Sequence, residues 1–232
     1  MFQEKLSLVK QSFLSHTNRI EKAAHGSIEG FLNREKDRLH HVLDVDFPVI
    51  ALSCGLIDEL CMNTISCYQP KAGDLNEILS MMVMNSKLKI LSFQIAKVAE
   101  AGIYFFTQPP IFYPREISSM STLILKNMEL CISFFLNCRS DMKEIIREQR
   151  DYFSALFEKF LKDIVSSEKG QIEPVCRLVQ VGFIFDRIIE LNQRICQDAC
   201  LLQKRDEKAM NAENPAPDSH LEGITALFSE ET

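Results

Sequence analysis

The sequence predicts an all-α protein made of two tandem three-helix bundles related by an internal repeat. Apolar residues recur at helical spacing along most of the chain, and no stretch alternates with a period of two for long enough to predict a strand. In addition, residues 88–100 align without gaps on residues 185–197, each residue moved by 97 positions. A repeat of this kind predicts two copies of one supersecondary unit.

Residues 1–107 are predicted to form the first three-helix repeat. Pro48 lies inside the second helix, where a proline removes a backbone donor, so we expect a kink or a break near Phe47. Gln69-Pro70 ends this helix, and Asp74 lies in the first turn of the next, where a carboxylate is favoured by the helix dipole. The three predicted helices cover residues 3–33, 37–68 and 72–105.

Residues 108–114 are predicted to be a hinge, because three prolines in this segment cannot lie in a helix interior. The second repeat follows over residues 115–205. Its helices are predicted at residues 116–137, 141–166 and 172–204. From residue 206 to residue 232 the helical stripe is lost and acidic and proline residues accumulate, which predicts a disordered acidic tail.

Composition favours a soluble cytoplasmic protein. Apolar residues make up 46% and charged residues 25% of the chain, as in ordinary globular proteins. The net charge of −6 argues against binding to nucleic acid, which usually requires a basic face. No uncharged run approaches the length of a membrane span, and the polar N-terminus lacks the apolar segment of a signal peptide.

The eight cysteines show no CxxC spacing. This favours free thiols packed as small apolar groups in a reducing cytosol, and the spacing gives no support for a thiolate metal site.

Two short passages of the first repeat resemble the PhoU proteins, which are accessory regulators of phosphate uptake. Ile-Asp-Glu-Leu-Cys at 57–61 is similar to the I-D-E-x-C passage of that family, and residues 68–75 are similar to its Q-P-x-A-S-D-L-R passage. The repeated segments that begin at Leu88 and Phe185 stand where the family has its two L-E-R-I-G-D motifs. The resemblance covers about residues 1–205.

The resemblance implies an elongated all-α fold of two repeated three-helix bundles. It also implies that the protein works in the cytoplasm, on the ATPase subunit of a phosphate ABC transporter or on a sensor histidine kinase, without being an enzyme. Members of the family bind multinuclear iron or zinc clusters through an acidic i,i+4 pair on the bundle surface, and they commonly form homodimers.

The first repeat departs from the family pattern where a metal is expected. The acidic pair is replaced by Lys89 and Phe93, and the asparagine that follows in the family is Lys97. An ammonium group and a phenyl ring cannot ligate a cation. We therefore expect no metal cluster in the first repeat.

The second repeat keeps two carboxylates, Asp186 and Glu190, which lie one helical turn apart and suit hard or borderline cations. They are the predicted ligands for iron or zinc. The other interpretation is a solvated helix face on which these carboxylates pair with neighbouring cations such as Arg187. Further ligands for a metal are sought on the preceding helix, at Glu144, Glu148 and Asp151.

Three functions follow from these observations. The first is a PhoU-like, non-catalytic adaptor; no glycine-framed nucleophile turn and no phosphate-binding glycine loop occurs in the sequence. The second is a metal-free module for protein interaction or oligomerisation, with Lys89, Phe93 and Lys97 as its partner surface. The third is a metal store that uses the cysteine and histidine side chains.

Overall fold

The computed structural model describes residues 1–108, 113–137, 142–167 and 172–213, and all regular structure within these ranges is helical. The prediction of an all-α protein is confirmed. The α-helices are α1 (Phe2–Asn33), α2 (Lys36–His41), α3 (Phe47–Tyr68), α4 (Ala72–Thr107), α5 (Arg115–Asn137), α6 (Met142–Ser167) and α7 (Ile172–Glu213).

The irregularity predicted near Phe47 is a π-helical segment, Val42–Asp46, that joins α2 to α3. Pro48 lies in the first turn of α3 and has no N–H with which to bond the carbonyl four residues earlier. The wider π turn directly before it takes up this mismatch without ending the helix.

The last helix is longer than its apolar pattern predicts. α7 continues to Glu213, whereas the loss of the stripe places its end at Lys204 and the start of a disordered tail at Asp206. Residues 206–213 are rich in glutamate, lysine, alanine and methionine, which favour helix without an apolar face. The rest of the predicted tail, residues 214–232, and the prolines at 109 and 110 lie outside the described residues.

The helices form two similar groups that meet through equivalent members. In the first repeat α1, α3 and α4 pack together, and in the second α5, α6 and α7 do so. Across the junction α4 contacts α7 and α1 contacts α5. Equivalent elements touch each other in this way when two copies are related by an approximate twofold axis.

The two central helices, α4 and α7, run antiparallel. Lys87 of α4 forms an ion pair with Asp198 near the C-terminal part of α7. At the other end of the contact, the guanidinium of Arg177 lies 5.1 Å from the ring centre of Tyr104. Each of these two helices therefore has neighbours on both flanks, because α3 packs beside α4 and α6 packs beside α7.

The 97-residue repeat is visible in the burial of these two helices. Residues 84, 85, 88, 91, 92, 95, 98 and 99 of α4 are buried, and so are their counterparts 181, 182, 185, 188, 189, 192, 195 and 196 of α7. Residues 86, 97 and 100 are exposed, and so are 183, 194 and 197. The internal repeat is therefore a repeat of packing, with the same positions facing the core in both copies.

One apolar core spans both repeats. At the junction, the ring of Phe31 in α1 lies 5.9 Å from Phe105 of α4 and 6.3 Å from Phe185 of α7, in edge-to-face contacts. The ring of Tyr113, just before α5, stacks on Phe31 at 5.0 Å. Edge-to-face and offset-stacked rings at these distances add to the stabilisation from burial.

Arg34 closes the end of α1 in the left-handed conformation, with φ of 57°. Its side chain reaches the end of α4, where Nη2 donates to the carbonyl oxygens of Phe105 at 2.6 Å and of Gln108 at 3.1 Å. The last carbonyls of a helix have no partner within the helix, so this guanidinium supplies the missing donors.

Gly182 provides a test of the close packing between α6 and α7. A Cβ atom at this position would lie 2.8 Å from ring carbons of both Phe157 and Phe160. We expect Gly182→Ala to lower the free energy of unfolding by about 1–3 kcal/mol, because rigid rings cannot move aside cheaply. Urea denaturation of the purified variant measures the change.

The matched control is Gly55→Ala on α3, where an added Cβ meets no atom within 4 Å. Here alanine is expected to stabilise by about 0.5–1 kcal/mol, because it favours helix over glycine. If Gly182→Ala stabilised the protein as Gly55→Ala does, the close contact at the α6–α7 interface would be wrong.

Candidate functional site

The positions at which the sequence predicts either a metal site or a partner surface lie on one outer face of the molecule. α1 and α5 cover one side of α4 and α7, so the exposed residues of these central helices lie on the opposite side. In α4 this exposed set includes Lys89, Phe93 and Lys97. The equivalent positions of α7 are 186, 190 and 194, the first two half-buried and the third exposed.

In the first repeat this face is aromatic. The ring of Phe93, 46% exposed, packs edge-to-face on Phe47 of α3 with 5.2 Å between ring centres. Neither this pair nor the ammonium of Lys89 offers a lone pair to a cation. The residues present here do not fit a metal.

In the second repeat the same face carries a network of ion pairs. Asp186 accepts a hydrogen bond of 2.5 Å from Nη1 of Arg150, which reaches across from α6. Glu190 accepts one of 2.5 Å from Arg187 and one of 2.6 Å from Arg194. The hydrogen bond from Arg187, together with the charges of both arginines, outweighs burial and lowers the pKa of the Glu190 carboxyl.

The three further ligands predicted on the preceding helix do not join this pair. Glu144 pairs with Arg147 on its own helix, and Glu148 and Asp151 are exposed side chains of α6. The residue that α6 does bring against α7 is Arg150. Within the described ranges, the single group of three potential metal ligands lies elsewhere and contains neither Asp186 nor Glu190.

In this structure the two carboxylates are therefore partners of arginine side chains, and a metal at this pair stays a prediction. Sequence reasoning included Arg187 but missed Arg150. The contact between Arg150 and Asp186 depends on the register between α6 and α7, and the apolar stripe of α6 does not determine this register.

The passage at residues 57–61 has a structural role. Ile57 and Cys61 are buried in the core between α1, α3 and α4. The carboxylate of Asp58, between them, accepts a 2.7 Å hydrogen bond from Nδ2 of Asn85, which also donates to the carbonyl of Cys54 at 2.8 Å. This passage therefore positions α3 on α4.

A buried histidine lies beside these groups, a position to which sequence reasoning assigned no role. His16 of α1 is 2% exposed, and its Nε2 lies 3.3 Å from the sulfur of Cys54. Burial, with a smaller effect of Arg19, lowers the pKa of His16 to about 4. Burial also raises the pKa of the Cys54 thiol to about 11, so both groups are neutral at pH 7.

Two curated proteins are similar to this chain. A protein of Aquifex aeolicus (strain VF5), named phosphate-specific transport system accessory protein PhoU homolog, is 20% identical over 184 residues, which are 79% of this chain and 82% of that protein. PhoU homolog 1 of Methanothermobacter thermautotrophicus is 26% identical over 129 residues, 55% of this chain and 59% of that protein. No model of a protein family matches the chain.

Two crystal structures of PhoU proteins share the fold. PhoU from Pseudomonas aeruginosa superimposes with a TM-score of 0.80 at 18% identity, over 88% of this chain and 99% of that one. The phosphate transport system regulatory protein PhoU from Streptococcus pneumoniae gives 0.78 at 16% identity, over 88% and 97%. Together with the curated relatives, they confirm the resemblance to the PhoU family.

The buried histidine makes stability depend on pH. The folded pKa of His16 is about 4, below the ordinary value of 6.5, so the unfolded chain binds a proton that the folded chain excludes. With respect to this group, the free energy of unfolding is highest above pH 6.5. It falls by up to about 3 kcal/mol as the pH decreases toward 4. Chemical denaturation at a series of pH values measures it.

His16→Gln removes this titration, so the stability of that variant should change less than that of the wild type between pH 6.5 and 4. His40→Gln, at a partly exposed histidine of α2, serves as the control and should follow the wild-type curve. Parallel curves for the wild type and His16→Gln would show that His16 is not held neutral.

Proposed function

We propose that this chain, a PhoU-like protein in sequence and in fold, is a regulator of phosphate transport that acts as a non-catalytic adaptor. The observation that carries this proposal is similarity to a phosphate-specific transport system accessory protein along 79% of the chain. The proposed partners are the ATPase subunit of a phosphate ABC transporter and a sensor histidine kinase, reached from the cytoplasm. In the described part of the chain, no helix is both long enough and apolar enough to span a membrane.

The chemistry of the interior supports a non-catalytic role. His16 and Cys54 are the close cysteine–histidine pair of the first repeat, at 3.3 Å. A cysteine nucleophile needs a lowered thiol pKa and access to substrate. Here the thiol is buried and its pKa is raised to about 11, so the pair contributes to packing.

A surface suited to docking lies on α4. Four exposed apolar side chains, Leu79, Val83, Ile90 and Phe93, follow one another along the solvent side of this helix and are called the α4 strip below. Lys89 and Lys97 add positive charge next to the strip. An apolar centre with cations beside it favours a partner with an apolar patch bordered by acidic residues.

Regulation on this surface would be steric and allosteric. A partner bound to the α4 strip would lie against the helix that carries the junction with the second repeat, because α4 contacts α7 along its length. Binding could then bias the position of one repeat relative to the other, without a chemical step.

The variant Phe93→Asp tests the docking surface. A carboxylate within this apolar strip is expected to weaken binding of the purified transporter ATPase subunit from the same host by about tenfold or more. Phe183→Asp is the matched control, because Phe183 is also exposed and also packs edge-to-face on another phenylalanine, Phe157, at 5.1 Å.

Surface plasmon resonance with the ATPase subunit, and in parallel with the sensor kinase, gives both affinities. An equal loss of affinity in Phe93→Asp and Phe183→Asp would show that the docking face does not lie on the α4 strip. If the wild-type protein bound neither partner, the adaptor role would be wrong.

The metal-free interaction or oligomerisation module is the second candidate. Phe93 and the arginines around Asp186 and Glu190 favour it, because on this face both repeats have side-chain contacts at the positions where the family pattern has metal ligands. Homodimer formation belongs to both candidates and stays a prediction. The third function, a metal store, fits less well, since burial raises the pKa of Cys54 and of Cys61 to about 11 and keeps these thiols protonated.

Iron or zinc at Asp186 and Glu190 stays a prediction, and binding there would have to release the contacts of three arginines. Under the other interpretation, in which these carboxylates only pair with arginines, Asp186→Asn/Glu190→Gln carries the same metal content as the wild type. Elemental analysis of both proteins, purified without chelator or nickel, makes the comparison. Stoichiometric iron or zinc in the wild type that is lost in the double variant would instead establish a family-type centre.

A further inference from the structure

A second group of potential metal ligands lies where the two repeats meet through α1 and α5. It consists of Glu21 and His25, one turn apart on α1, and Glu129 on α5. The ligand atoms of the three side chains all lie within 4.8 Å of one another. Nε2 of His25 is 3.6 Å from Oε1 of Glu129, near the edge of about 3.3 Å that a tetrahedron of zinc ligands has.

The other nitrogen of this histidine also lies near a carboxylate. Nδ1 of His25 lies 3.6 Å from Oε1 of Glu29, one turn further along α1. The second carboxylate oxygen of Glu29 is held by Arg38 of α2. Histidines that bind metals typically have their distal nitrogen next to such a carboxylate, which fixes the ring and raises its basicity.

The charges around the group leave room for a cation. Among the described residues, Glu21 and Glu129 form no ion pair with a lysine or an arginine. The carboxylate of Glu129 lies instead beside the imidazole of His25. Glu190 of the second repeat, by contrast, has two arginines. The contact between α1 and α5 thus brings two carboxylates toward one imidazole, and their mutual repulsion is relieved when a positive charge lies between them.

We propose that Glu21, His25 and Glu129 bind a divalent cation of the zinc type at the junction of the two repeats. One imidazole nitrogen and two carboxylate oxygens are ligands that zinc accepts, with a water in the fourth position. Imidazole is not a preferred ligand of magnesium or calcium, which take oxygen ligands.

The position of the site gives it a mechanical consequence. α1 belongs to the first repeat and α5 to the second, so an ion bound to side chains of both helices would cross-link the repeats. This site is separate from Asp186 and Glu190, and it shares no ligand with the family-type centre predicted there.

Titration of the chelator-treated, full-length protein with Zn²⁺ in a calorimeter tests the proposal. The wild type should bind one equivalent, and His25→Gln and Glu129→Gln should each weaken this binding by about tenfold or more. His40→Gln is the matched control and should bind as the wild type does, because His40 is similarly exposed and lies 3.5 Å from a single carboxylate, that of Asp44. A free Zn²⁺ concentration about a hundredfold above Kd should raise the Tm of the wild type by about 5 °C or more.

Each other result overturns the proposal. Unchanged Zn²⁺ binding in His25→Gln would show that the ion lies elsewhere. Binding lost only in Asp186→Asn/Glu190→Gln would place it at the family-type position. With Co²⁺ as the probe, intense thiolate charge-transfer bands would assign it to cysteines. Absence of Zn²⁺ binding in the wild type would remove the site altogether. None of these results bears on partner docking at the α4 strip, which is measured with the transporter ATPase subunit.

Discussion

The rest of the structure depends on the packing of α4 against α7 at the centre of the molecule. One side of α4 is covered by α1 and one side of α7 by α5. On its flanks, α4 contacts α3 of its own repeat and α7 of the other, and α7 contacts α6 and α4 in the same way. What remains for solvent is a narrow strip along each helix. The two copies keep the same positions buried, although the residues at these positions differ, as with Asn85 and Gly182.

The strips show how far two copies can diverge under one packing constraint. At equivalent positions the first repeat has a phenylalanine packed on a phenylalanine, and the second has a glutamate held by two arginines. Both arrangements satisfy the exposed side chains with neighbours on the protein itself. Partly exposed ion pairs contribute little to stability individually, so the second arrangement adds less to the stability of the fold than the buried core beneath it.

The fold was predictable from the sequence because it depends on apolar periodicity, and periodicity survives even where single residues change. The end of α7 was misplaced, because residues 206–213 form a helix through their intrinsic preference and not through an apolar stripe. The contact between Arg150 and Asp186 could not be predicted, because it requires the register of two helices across a loop. The group of Glu21, His25 and Glu129 was missed for a similar reason, since Glu129 is distant in the chain from the pair on α1 and only the α1–α5 contact brings it there.

The side chain of Arg34 has a consequence for the geometry of the first repeat. It fastens the end of α1 to the last carbonyls of α4, at the point where the chain leaves the first repeat for the second. Two hydrogen bonds from one guanidinium thus fix the ends of α1 and α4 relative to each other, beside the apolar core that spans both repeats. Because α1 contacts α5 and α4 contacts α7, this one polar side chain helps to hold the two surfaces that receive the second repeat in a fixed relation to each other.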